Sequence, residues 1–513
     1  MALELPNADL DRRKGPTPLL WAALGGHEEI VKMLLHRDDT NPNTPGKHGE
    51  TPLWKATWAG HEGVVKMLLA RKDVDPNTAS EFGESPLFPA VYRGRRGVLK
   101  LLLERADLDP NTTNAFGQTV LFKAAWEETH WAIKLLLERA DLNPNTTHRH
   151  RTPLLEAAWR GYNEVVKMLL ERVDINPDIA DKHGHTPLSQ AVRDGHEEVV
   201  KMLLERVDVN PNNQDVHHVT ALSIAAWEGH ERIVKVFLDR EDVNPNTADE
   251  CGRTPLSKAV WAGHKQVVKM LLERADINPN TTDKYGDTPL SQAAWKGDEG
   301  VFKMLSKRAD VNPNTADNRG QTALTKAACR GHERLVKILL EREDVNLHPV
   351  DVNGYTPLSI AAFRGHEGAV KMLLQQQDIK PNTAIGNGLT PLFVAAHQGH
   401  EGVVKALLER NDIDPNTANQ RRQTPLYIAA QKGHEGVVKI LLERSDINTD
   451  MIDLAGESAL SQALDCEHYA IAKLLSKHRN LFLLSDGNGA TTPSPPPPRS
   501  GPDQGPRKRI RRS

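Results

Sequence analysis

Thr254 to Asp287 reads T-P-L-S-K-A-V-W-A-G-H-K-Q-V-V-K-M-L-L-E-R-A-D-I-N-P-N-T-T-D-K-Y-G-D. Thr254 is a good helix N-cap, because its hydroxyl can accept a bond from an orphan backbone N–H. Pro255 suits the first helical position, where no N–H is needed. Leu256, Ala259 and Val260 give a short helix a narrow apolar face, and Gly263 can take the left-handed conformation that stops it. Val267, Val268, Met270, Leu271 and Leu272 recur at helical spacing and predict a second helix. Glu273 and Arg274 end that helix, where the arginine complements the dipole. Asn278-Pro279-Asn280 cannot continue a helix. Asp283 to Asp287, with Gly286, form a turn that leads to the next cap.

The same pattern recurs along the chain. T-P-L-like triplets begin at Thr17, Thr51, Ser85, Thr119, Thr152, Thr186, Thr220, Thr254, Thr288, Thr322, Thr356, Thr390, Thr424 and Ser458. Every step is 34 residues except Thr119 to Thr152, which is 33. One copy cannot bury its own apolar face, so neighbours must stack into a continuous core. With helices about 8–10 Å apart, fourteen copies predict a curved rod on the order of 120–140 Å long.

The pattern T-P-L-x-x-A-A-x-x-G-H-x-x-V-V-K-x-L-L-E, followed by D-V-N, resembles the ankyrin repeat over roughly residues 7–478. The resemblance implies an all-α solenoid of fourteen helix-turn-helix repeats with short β-hairpin-like turns. Some positions depart from the family. The histidine that usually follows T-P-L is absent from every copy, and proline occupies the loop after the second helix in eleven of thirteen linkers, from Pro42 to Pro415. This N-P-N-T-A-D dialect is similar to the ankyrin arrays of fungal proteins, some of which follow a NACHT domain. This chain contains no such domain.

The segments read as a partial repeat loop at 1–16, the array at 17–484 and a tail at 485–513. The chain starts inside a repeat loop, Pro6-Asn7-Ala8-Asp9, without a polar cap, which points to a longer parent product. In the last copy Asp465, Cys466 and Glu467 replace the usual loop, while Lys473, Lys477 and His478 add the charge that a solenoid end needs. The copy at Thr119 is irregular, with Glu128-Thr129 for Gly-His and His148-Arg149-His150-Arg151 for the glycine turn. A change of curvature is expected there. The tail, rich in Gly, Ser, Thr and Pro with Pro495 to Pro498, cannot bury a core and is expected to be disordered. It ends in Arg507, Lys508, Arg509, Ile510, Arg511 and Arg512, a candidate nuclear-import signal or simply a solvated basic end. Thr492-Pro493 and Ser494-Pro495 are candidate proline-directed phosphorylation sites.

Composition narrows the function. Sixty-five Lys and Arg nearly balance sixty-eight Asp and Glu, giving a formal charge of −3. Such a balance gives no global attraction to nucleic acid or anionic membrane. Cys251, Cys329 and Cys466 are far apart, without metal spacing, and an odd thiol count points to a reducing compartment. The first fifteen residues lack the apolar core of a signal peptide, and no stretch approaches 18 apolar residues. The expectation is a cytoplasmic or nuclear monomer that binds proteins and has no membrane contact.

The resemblance places target contacts at the end of the first helix and at the turn tips. Seven residues past each cap stand Trp58, Tyr92, Trp126, Trp159, Trp227, Trp261, Trp295 and Phe363, and six of the nine tryptophans lie on this line. An exposed aromatic ladder marks an interaction surface. The alternative is that duplicated rings stack on one another as packing. The next position carries Ala, Arg, Glu, Asp, Lys or Gln, a varied polar rim. The tips carry Lys47, His48, Glu50, Lys182, His183, His185, Lys284, Tyr285 and Asp287, for recognition or simply for solvation. Arginine stands twenty residues past the cap in twelve copies, with aspartate two later in thirteen. These read as stacked, partly exposed ion pairs that help adjacent copies dock, each well under ~1 kcal/mol.

Catalysis has no support. Ten of the twenty-two histidines, such as His27, His196, His230, His264 and His332, occupy the G-H position, where the resemblance implies that they order the helix–helix turn. His217-His218 and His148-x-His150 lack a ligand pattern. There is no P-loop, GxGxxG, GxSxG or HExxH motif. The expectation is a non-enzymatic scaffold or adaptor with no cofactor and no metal. Two alternatives are the sensing array of a fungal receptor whose nucleotide-binding module is separate, and a nuclear adaptor directed by the basic tail.

Overall fold

The computed structural model describes the backbone of residues 17–485 and side chains through residue 479. Among the described residues there are twenty-eight helices, two per copy, mostly eight residues long. There are no strands among them, only isolated bridges that close turns, such as Thr113 with Thr119 and Gln214 with Thr220. No described helix is long and apolar enough to cross a membrane. Contacts divide the chain into two compact units with the boundary at Pro357 and Leu358, and each is built from the same copy.

Local chemistry sets the helix ends. Thr254 caps Pro255–Ala262 by accepting from Ser257 N at 3.3 Å. Gly263, at φ 87°, ends that helix by donating to Ala259 O at 2.9 Å. Lys265–Glu273 follows. Leu256, Ala259, Val260, Val267, Val268 and Leu271 are buried, while Met270 and Leu272 are half-buried and flank the core. The last helix, Tyr469–Ser485, is twice the usual length, and its Lys473 and Lys477 are exposed.

Eight residues are too few for a stable helix in isolation, so neighbouring copies complete one another. The arginines at the ends of the second helices do most of this. Each of twelve forms a bidentate pair with the aspartate two residues on, at 2.5–2.7 Å for the Nη2 contact. Their other bonds reach the preceding copy. Arg139 places Nε and Nη2 on Asp141, Nη1 on Leu103 O and Arg105 O at 2.8 Å, and Nη2 also on Leu108 O at 3.0 Å. All five of its N–H donors are thereby used. Arg105 and Arg172 repeat the arrangement. Leu103 ends the preceding copy's second helix, and Arg105 and Leu108 lie in the loop after it, so the guanidinium serves carbonyls at and just beyond a helix end. Arg274 likewise reaches back, to Leu238 O and Arg240 O, as well as sitting at its own helix end.

The Asn-Pro-Asn loop is a second staple. The Asn280 side chain donates to Asp310 O at 2.7 Å and accepts from Asn312 N at 2.8 Å. Its amide thus acts as one rung of a ladder between copies. Asn43, Asn77, Asn111, Asn246, Asn314 and Asn416 do the same. In one copy the rung is Asp178. It accepts from Asn210 N at 2.9 Å, but it has no amide donor, and its Oδ1 is buried without a partner.

The irregular copy behaves differently at its tip. Glu128 takes the left-handed conformation in place of glycine. Arg149 and His150, at φ 49° and 66°, form a two-residue turn closed by His148 and Arg151, the pattern of tight hairpins. Most successive tips share a backbone bond, such as Ala115 N to Phe82 O at 2.8 Å and Asn318 N to Tyr285 O at 2.9 Å. Among the described residues no such bond joins the Arg149-His150 turn to the tip on either side.

Two predictions come from these staples. Bonds from the arginines, notably in Asp107, Asp141 and Asp174, hold the aspartate carboxyls below the usual range. A depressed carboxyl stabilises the fold above its unfolded value, near 3.9, and loses that contribution as pH falls through the folded value. Circular dichroism should stay level from pH 7 to about 5 and fall steeply below about 4, with Arg139→Gln moving the fall to higher pH. A level signal down to pH 2 contradicts this. Asp178 has the opposite sign, since burial raises its carboxyl. Its ionised form costs stability at neutral pH, and that cost disappears on protonation. Asp178→Asn should therefore add about 1 kcal/mol at pH 7 in urea unfolding, and clearly less at pH 4.

Candidate partner-binding face

The ladder residues lie at the ends of the first helices. Trp126, Trp159, Trp227, Trp261 and Trp295 are 36–46% exposed, and Trp58, Tyr92 and Phe363 are half-buried. Ring-on-ring contact is seen at Trp58 among the described residues: Trp54 stacks on Trp58 at 5.4 Å, and Trp58 meets Tyr92 edge-on at 5.7 Å. Tyr92 also donates to Glu84 Oε2 at 3.0 Å, and burial raises both of their pKa values.

Among the described residues, cations face Trp58, Trp126, Trp159, Trp261, Trp295 and Phe363 but not Trp227. The guanidinium of Arg93 lies 3.6 Å from the Trp58 ring centre, Arg160 4.1 Å from Trp126 and Arg330 3.7 Å from Trp295. Lys296 stands 5.5 Å from Trp261. In each case the ring belongs to one copy and the cation to the next. Arg151 covers Trp159 at 4.4 Å. Such contacts are worth about 0.5–1 kcal/mol at exposed sites. The polar rim beside the ladder is thus a set of partners for the rings. The sequence signal was an aromatic seven past one cap together with a cation eight past the next.

The G-H histidines at the helix–helix turns also bridge copies. His264 Nε2–H donates to Trp227 O at 2.9 Å, His196 to Trp159 O at 3.1 Å, and His400 to Phe363 O at 3.1 Å. The acceptor is in each case the backbone of a ladder residue one copy earlier. The ring then lies over that copy's terminal glycine. A Cβ on Gly229 would stand 2.6 Å from the His264 ring, so this glycine supplies room in addition to its positive φ.

Of the tip residues, Lys47, His48, Lys182, His183, Lys284 and Tyr285 are exposed. His48 pairs with Glu81 on the next tip at 2.6 Å. Glu50, His185 and Asp287 are not tip residues in the solvated sense. Each precedes a cap and turns inward: Glu50 to Lys55 at 2.9 Å, His185 to Asp181 at 3.3 Å, and Asp287 to Lys326. The floor between tips and first helices is therefore ionic. Lys326, only 4% exposed, also reaches Asp317 at 2.8 Å. Lys258 meets Asp249 at 3.1 Å, and burial lowers its pKa. Fully buried Glu156 is held by Arg160 at 2.6 Å and by Arg151 at 3.4 Å. A cleft of about 230 Å³ lies among Trp261, Tyr285, Trp295, Arg319 and Lys326.

His217 pairs with Glu250 at 3.2 Å, and the His148 ring packs edge-on against Phe122 at 5.1 Å. Among the described residues no group of three His, Cys, Asp or Glu side chains converges to hold a metal. Arg507, Lys508, Arg509, Arg511 and Arg512 lie outside the described residues, as do Thr492 to Pro495.

A family model described as ankyrin repeats (3 copies) matches residues 2–80, 72–148, 132–215, 154–249, 222–315, 290–385, 349–419 and 392–486. The search of curated proteins found no match.

Ladder and core tryptophans should differ in their effect on stability. Trp54 is 5% exposed, and its indole N–H donates to Glu84 O at 3.1 Å. Trp54→Ser should cost about 3 kcal/mol or more, whereas Trp227→Ser should cost under about 1 kcal/mol. Equal losses in urea unfolding would make the ladder part of the core.

Proposed function

We propose, from the premise that the chain belongs to the ankyrin-repeat family, whose arrays are in general protein-interaction modules, that it is a scaffold or adaptor. In this reading partner proteins dock on the ladder rings and the turn tips. The observation that carries it is the half-exposure of five tryptophans aligned at equivalent positions of successive or near-successive copies. A folded chain buries such rings unless the surface has a use, and tryptophan dominates the energetics of protein interfaces. Cations over most of the rings help to hold them in place, so much of the surface is ordered before a partner arrives.

The test is crosslinking capture from an extract of the source organism. One bait is the intact chain. The other carries Trp227→Ser, Trp261→Ser and Trp295→Ser, with its fold checked by circular dichroism. Proteins captured by the intact chain should be lost with the folded variant. The same captured set with both baits would overturn the ladder as the docking face.

A further inference from the structure

We propose that the face around Trp261, Tyr285 and Trp295 takes an extended acidic peptide segment with carboxylates about three residues apart. This rests on the protein-binding reading above and names the chemistry of the partner. The first observation is charge. The whole chain carries −3, yet this face is cationic. Lys284, Lys296, Arg319 and Arg330 are all exposed, and among the described residues none of them pairs with a carboxylate. The two carboxylates in the cleft wall, Asp287 and Asp317, are both tied to the buried Lys326.

The second observation is order. Arg330 lies 3.7 Å from the Trp295 ring centre. A stacked guanidinium keeps its in-plane N–H groups, and these suit a carboxylate in bidentate geometry. Lys296 is placed over Trp261 and donates to Trp261 O, so the cationic positions are set before binding.

The third is spacing. Packed helices stand about 8–10 Å apart, so the cations of successive copies recur at roughly that distance. A polyproline II segment has three residues per turn and advances about 3.1 Å per residue, which brings every third side chain back opposite a cation. The side chains between them face the indoles, and the 230 Å³ cleft has room for one. A single-stranded nucleic acid is the other polyanion that indoles and cations attract. The chain as a whole carries −3 and gives a polyphosphate strand no long-range attraction, and ankyrin arrays are in general protein-interaction modules, so the peptide is the better fit.

The experiment is fluorescence anisotropy on the full chain at about 50 mM salt, where surface charge is least screened. The probes are a labelled peptide with glutamate at every third position, the same peptide with lysine instead, and a single-stranded oligonucleotide of equal charge. The glutamate peptide should bind, at least about tenfold tighter than the lysine peptide, and Lys296→Gln with Arg330→Gln should weaken it about tenfold. Both residues are exposed, and circular dichroism checks that the double variant folds. The proposal is overturned if the glutamate peptide fails to bind, if the lysine peptide or the double variant binds as well, or if only the oligonucleotide binds. Partners captured through the ladder that carry no acidic segment would remove this proposal and leave the scaffold reading standing. Capture that ignores the ladder would remove the scaffold reading itself.

Discussion

The arginine that ends the second helix in twelve of the fourteen copies is the interaction on which the rest depends. An eight-residue helix leaves half its carbonyls without an internal partner. The planar guanidinium satisfies carbonyls at and just beyond the end of the preceding helix while its other edge is held by its own aspartate, and for Arg139 every donor is used. Lysine could not replace it, because three donors on a flexible stem cannot span two copies and a carboxylate at once. The short helices exist because their ends are completed by a neighbour.

The asparagine rungs and the G-H histidines extend the same logic to the loop and to the turn between helices. Asn280 joins two loops, and His264 ties one helix–helix turn to the Trp227 carbonyl before it. These three devices recur nearly unchanged from copy to copy, because each must meet the same backbone atoms. The turn tips and the two positions at the end of the first helix make few such obligatory bonds. They are free to vary, and the chain places its tryptophans and their cations there. In the scaffold reading proposed above, structure and recognition are thus separated within one repeat.

Much of the fold was legible in the sequence because its signals are local. Thr254, Pro255 and Gly263 act on the helix they border, and the structure places them as their chemistry dictates. The staples were harder to see, because their partners are backbone atoms some thirty residues away. Asn280 looked like a helix breaker and Arg274 a dipole partner, and both act chiefly on a neighbouring copy. A polar residue that recurs in copy after copy, beside tips that change, was the available clue. At the candidate face the aromatic line was plain from the sequence. The rings' exposure and the cations over them were not, since Arg330 and Trp295 belong to different copies. The inward turn of Glu50, His185 and Asp287 was also hidden, because one residue decides whether a side chain sits on the tip or on the floor.

The central claim is that one set of positions holds the array together and another receives partners. Hydrogen exchange of the intact chain, alone and with a captured partner, tests it most directly. The account predicts that binding slows exchange at the ends of the first helices around Trp227, Trp261 and Trp295 and at the adjoining tips, with the loops around Asn212, Asn246 and Asn280 unchanged. Protection confined to those loops, with the ladder unchanged, would contradict it.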